Sequence, residues 1–194
     1  MKHHLPNALT ITRIALTPLL IVLLFRDSLG AAFWALVLFV ALAISDYYDG
    51  KLARQYSVSS RLGQFLDPLA DKVLVLGTFV VLTMRYPEHA PWWGVALIAA
   101  RDLAVTALRT WAESRGRSIA TSYAAKVKTT VQLTYLIFFL VVLTAAKMPA
   151  PIEGLGVFFL ETPVLWWMML ITVASTLWTG YLYFANLDSS AASS

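Results

Sequence analysis

Residues 45–72 read SDYYDGKLARQYSVSSRLGQFLDPLADK, from Ser45 to Lys72. Long apolar runs flank this stretch on both sides, yet it holds four aspartates, Asp46, Asp49, Asp67 and Asp71. A carboxylate near hydrocarbon costs about 2.5–3.5 kcal/mol even on lenient insertion scales. Four of them call for a neutralising partner, and a metal ion is the simplest one.

The spacing says how the acids gather. Asp46 and Asp49 are three apart, with Gly50 and Ala53 completing the same helical face. Asp67 and Asp71 are four apart, with Gly63 one turn ahead of them. The polar run Gln55 to Ser60, with Arg61, is short enough to join two antiparallel helices. Folding that hairpin brings the two acid pairs together, while Gly50 and Gly63 leave room for a ligand or a partner backbone. Hard oxygen donors without His or Cys favour Mg²⁺ or Mn²⁺ over Zn²⁺.

The pattern Asp46-x-x-Asp49-Gly50-x-x-Ala53-Arg54, eight residues, Gly63-x-x-x-Asp67-x-x-x-Asp71 resembles the signature of the CDP-alcohol phosphotransferase family. All eight fixed positions match. Solvated helix ends would account for the charges but not for both acid pairs sharing faces with glycines.

Composition agrees with a membrane setting. The 194 residues are 59% hydrophobic and 13% charged, with mean hydropathy +0.69, against about 25% charged in a soluble domain. One domain is expected over residues 1–188, with a disordered Ser/Ala tail over 189–194. The absence of cysteine excludes disulfides, thiolate metal sites and a cysteine nucleophile. Net charge is +4, but the basic residues cluster beside apolar runs. They suit lipid head groups and phosphorylated substrates rather than nucleic acid.

The predicted fold is all-α, an integral membrane bundle of six transmembrane helices. The spans are about Leu5–Phe25, Ala31–Arg54, Leu62–Met84, Pro91–Glu113, Ser122–Ala146 and Pro163–Phe184, each near or above the roughly 20 residues a crossing needs. Six basic residues (Lys2, Lys51, Arg54, Arg61, Arg115, Arg117) fall on the side of the Asp46–Asp71 hairpin, and three (Arg26, Arg85, Lys147) on the other. That bias puts both termini and the active site on the cytoplasmic side. Trp34, Trp92, Trp93, Trp166 and Trp167 near span ends fit an aromatic belt. In the first span, Asn7, Thr10 and Arg13 recur every three residues on one face.

A second anomaly lies in spans four and five. Arg101, Arg109, Arg115, Arg117, Lys126 and Lys128 stand against only Asp102 and Glu113, six basic residues to two acidic. Ions inside a span face a bundle interior or a wet cavity. Asp102 and Arg109, seven apart on one face, are able to pair, but the basic surplus still needs an anion. Arg101 and Arg109 lie about 12 Å apart along the axis, within joint reach of one phosphate only through long side chains. Lys126 and Lys128 project roughly 200° apart, so one of them faces the cavity, and the sequence leaves open which.

The segments Ile98–Glu113 and Lys126–Gln132, with Pro6-Asn7-x-Leu9-Thr10-x-x-Arg13, narrow the resemblance to the branch of the family that acts on glycerol 3-phosphate. The likeness carried by these motifs runs from Leu5 to Gln132. It implies a bacterial inner-membrane enzyme, commonly a homodimer, that moves the phosphatidyl group of CDP-diacylglycerol onto glycerol 3-phosphate and releases CMP. It implies that Asp46, Asp49, Asp67 and Asp71 hold two Mg²⁺ or Mn²⁺ ions, with Asp71 also the general base. Asn7, Gly50, Ala53, Arg54 and Gly63 then border the nucleotide lipid, and Arg101, Arg109 and one of Lys126 or Lys128 bind the acceptor phosphate. Two rivals stand beside this reading: another acceptor such as inositol phosphate, and a divalent-cation transporter lined by the four acids.

Overall fold

The structure, a computed structural model, describes the backbone of residues 5–56, 61–114 and 123–191, and the side chains of 12–46, 72–108, 110, 126–183 and 185. Seven helices and no strands occur among the described residues: α1 (Leu5–Phe25), α2 (Leu29–Tyr56), α3 (Arg61–Arg85), α4 (Trp92–Ser114), α5 (Tyr123–Ala145), α6 (Ile152–Glu161) and α7 (Val164–Ala191). The all-α expectation holds. Six of these helices are 21–28 residues long and coincide with the six apolar runs. At about 1.5 Å per residue each is at least as long as the hydrocarbon is thick.

Three stretches, Leu29–Asp46, Lys126–Ala145 and Val164–Tyr183, are long and apolar enough to cross a membrane among the described residues. The outer surface agrees. Trp34, Trp92, Trp93, Trp167 and Trp178 are exposed, as lipid-facing side chains are and as a water-soluble surface rarely allows on this scale. Trp166 is half-buried, an exception to the expected belt.

Two expectations need correction. The connection between the fifth and sixth runs holds the extra helix α6, which docks on α5. Its Gly156 makes this possible, since a Cβ there would come within 2.6 Å of the Ala145 backbone carbon. At the other end, α7 continues past Phe184 to Ala191, two residues beyond Ser189, where the sequence puts the start of a disordered tail.

Helix α1 packs against both α2 and α3, and α5 touches α2, α3, α6 and α7. Their shared core includes Leu20, Phe39, Phe79, Tyr135, Phe139 and Leu165. Phe79 of α3 and Tyr135 of α5 stack with centroids 5.7 Å apart. Buried threonines are tolerated because their hydroxyls bond back into their own helix. Thr17 donates to the Arg13 carbonyl at 2.8 Å, and Thr78 to that of Leu74 at 2.8 Å.

At the end of the bundle away from the acidic stretch, Asp27 in the α1–α2 turn pairs with Lys147, beyond α5, and with Arg85 of α3 at 3.7 Å. Arg85 also donates to the Leu24 carbonyl at 2.5 Å. This clip joins three helix ends.

Candidate active site

Arg13 sits about two turns inside α1 with 1% of its surface exposed. Such a cation needs a partner, and its Nη1 meets Asp46 Oδ1 at 2.7 Å. Helix α1 is thus fastened to α2 at the first residue of the acidic motif. The Asp46 side chain remains 41% exposed, so its carboxylate still borders open space. Of the four acids, Asp46 alone has a described side chain.

Asp49, Gly50, Ala53 and Arg54 lie within α2, and Gly63, Asp67 and Asp71 within α3. Their side chains, like those of Asn7 and Arg109, lie outside the described residues. So does the proposed closure of the acidic hairpin. Among the described residues no three metal-binding side chains converge. The donor set itself fits a hard divalent cation: four carboxylates on consecutive helices, with no imidazole or thiolate in the motif.

The basic half is described in more detail. Asp102 of α4 is 3% exposed and lies between two cations. Arg101 Nη1 reaches its Oδ1 at 3.3 Å, and Lys128 Nζ of α5 bonds its Oδ2. Lys126 is exposed while Lys128 is 7% exposed, so of the two it is Lys128 that packs inside the bundle. The possible pairing of Asp102 with Arg109 lies outside the described residues. Among the described residues the cluster carries two positive charges and one negative.

Helix α7 completes it. Arg101 Nη2 donates to Thr179 Oγ1 at 3.1 Å, and that hydroxyl donates to the Thr176 carbonyl at 3.0 Å. Gln132 Nε2 of α5 donates to Thr176 Oγ1 at 3.2 Å. The motif-based likeness stops at Gln132 and treats everything after it as generic apolar helix, so it misses α7. The available signal was Thr172, Thr176 and Thr179, spaced four and three apart on one face of an apolar helix. Lys72, next to Asp71 on α3, lies within electrostatic reach of Lys128.

The profile of the CDP-alcohol phosphatidyltransferase family matches residues 3–178. The chain belongs to that family. Its relatives include two proteins named CDP-diacylglycerol–glycerol-3-phosphate 3-phosphatidyltransferase. The one from Salmonella choleraesuis (strain SC-B67) is 36% identical over 175 residues, covering 88% of this chain and 93% of its own. The one from Escherichia coli (strain K12) is 35% identical over the same length and coverage. The family match extends beyond Gln132 into α7 and takes in Thr172 and Thr176, which corrects the limit set by the motifs alone.

Proposed function

We propose that this protein transfers the phosphatidyl group of CDP-diacylglycerol to glycerol 3-phosphate, giving phosphatidylglycerophosphate and CMP. The observation that carries the acceptor assignment is the positive excess at buried Asp102 among the described residues, where Arg101 and Lys128 share one carboxylate. An uncompensated buried charge is costly, and an acceptor that brings its own phosphate removes the imbalance. An uncharged acceptor would leave it in place. The relatives' names point to the same acceptor.

In this reading the chain works mainly by positioning and charge placement, as phosphoryl transfer requires. Asp46, Asp49, Asp67 and Asp71 would hold Mg²⁺ or Mn²⁺, one ion or two. A divalent ion bound there supplies neutralisation of the substrate pyrophosphate. Arg13 fixes the Asp46 carboxylate from the α1 side. Gly50, Ala53 and Gly63 keep the nucleotide's approach open, with Asn7 and Arg54 bordering it. Arg101, Lys128 and Arg109 hold the acceptor phosphate, while exposed Lys126 is dropped from that set. Asp71 takes the proton from the 1-hydroxyl of glycerol 3-phosphate. That oxygen bonds to the lipid-bearing phosphorus as the bond to CMP breaks.

The same reading makes all six long helices transmembrane spans, in a bacterial cytoplasmic membrane, with both termini and the site on the cytoplasmic side. Residues 1–188 form one catalytic domain that works as a homodimer among membrane lipids. The decisive assay is CMP release from CDP-diacylglycerol across a panel of acceptors, with and without a chelator. Glycerol 3-phosphate is expected to be fastest, and chelation to abolish release. Faster turnover with inositol phosphate would overturn the acceptor. Asp71→Asn is expected to lower CMP release by ~10²–10⁴-fold, the usual worth of a general base; intact release would remove Asp71 from that role.

A further inference from the structure

We infer that α7 contributes a positioning element for the acceptor site: Thr179 and Gly180 fix the Arg101 guanidinium in the orientation that receives the acceptor phosphate. This rests on the reading of Arg101 as a phosphate ligand. Three observations point the same way. The Arg101 side chain is 10% exposed, with Nη1 held by Asp102 at 3.3 Å and Nη2 by Thr179 at 3.1 Å. The Thr179 hydroxyl commits its single proton to the Thr176 carbonyl, so it faces Arg101 as an acceptor only. Gly180 supplies the space, because a Cβ there would stand 2.9 Å from Arg101 Cγ and 3.1 Å from its Nε. Those are atoms of the stem and the near end of the guanidinium, too close to the backbone to swing aside without moving the whole group.

The guanidinium is therefore held at both ends of its fork and along its stem. Its buried Nε makes no hydrogen bond among the described residues. An arginine has five N–H donors, and the contacts to Asp102 and Thr179 leave the others for an anion. Holding the group rigid before the ligand arrives removes an ordering cost from binding. Nothing in the motifs of α1 to α5 predicts this, because the constraint comes from a helix with no charged residue before Asp188.

The test uses the full-length enzyme in mixed micelles, with initial rates of CMP release measured against glycerol 3-phosphate and, separately, against CDP-diacylglycerol. Gly180→Ala favours the helix, so the fold is not at risk. It is expected to raise KM for glycerol 3-phosphate about tenfold, the loss of one hydrogen bond to a charged group. KM for CDP-diacylglycerol should stay within about twofold, and the rise in acceptor KM should exceed any fall in kcat. Thr179→Val should act in the same direction, and Thr179→Ser should restore the parent value. In an Arg101→Gln background, Gly180→Ala should add nothing, because coupled neighbours are non-additive. If Arg101→Gln leaves the acceptor KM unchanged, the reading of Arg101 is wrong. If Arg101→Gln raises it while Gly180→Ala and Thr179→Val do not, the inference alone falls. An equal change in both KM values would also overturn it, by marking a general structural role.

Discussion

Two of the described aspartates, Asp27 and Asp102, each hold two cations, and they behave as opposites. Asp27 pairs with Lys147 and Arg85 at one end of the bundle, its side chain 73% exposed. Asp102 pairs with Lys128 and Arg101 within the bundle, its side chain 3% exposed. The charge count is identical, one negative and two positive. Water and salt balance the Asp27 cluster, so it serves as a clip between helix ends. The Asp102 cluster is shielded from both, and on the proposed reading the acceptor phosphate supplies the balance. Burial, rather than pairing, is what sets the two clusters apart.

The sharpest way to break this contrast is Asp102→Asn. It leaves Arg101 and Lys128 buried without their shared carboxylate, and removing one partner from a buried ion pair costs about 3–5 kcal/mol. Denaturation in detergent should show that loss, and a loss below ~1 kcal/mol would make Asp102 an ordinary surface pair. Lys128→Gln should raise KM for glycerol 3-phosphate by roughly tenfold or more, while Lys126→Gln leaves it unchanged. The reverse order would mean that the exposed lysine serves the acceptor.

Smaller effects belong to the exposed cluster. Asp27→Asn should lower the melting temperature slightly at low salt and not at all near 1 M salt, where the screening length is about 3 Å. A salt-independent loss would show that the clip is shielded after all. Acid should weaken the same end of the molecule. The hydrogen bond from Lys147, then its charge, hold the Asp27 carboxyl below its usual value of 3.8. A depressed carboxyl stabilises the fold above the usual value, and that support goes as pH falls through the lower native one. Burial likewise lowers the pKa of His89, in the α3–α4 connection, from the usual 6.5, partly offset by Glu88. Its contribution is intact above 6.5 and lost as pH falls below. Melting temperature should therefore decline in two windows on acidification, and His89→Gln should flatten the upper one.

Much of this architecture is legible in the sequence, and each failure has a physical cause. The six long helices declare themselves because nothing else accommodates such apolar runs. The acidic motif is visible because four carboxylates beside hydrocarbon have no bland explanation. Helix α6 is hidden because Ile152–Glu161 is a ten-residue segment with two glycines, set between prolines. Its order depends on close docking of Gly156 against α5. The choice between Lys126 and Lys128 turns on the rotation of α5 about its axis, which its neighbours set. Thr176 and Thr179 escape notice because a threonine that bonds its own helix looks apolar along the chain, and becomes polar only where another helix brings Gln132 or Arg101 to it.

The contact between Arg101 and Thr179 spans 78 positions along the chain. Synthesis from the N-terminus delivers the acidic motif well before the threonine. A nascent chain that holds only its first helices therefore still lacks the hydroxyl that meets Arg101. Activity is expected to switch on only once α7 has been made and packed against α4 and α5.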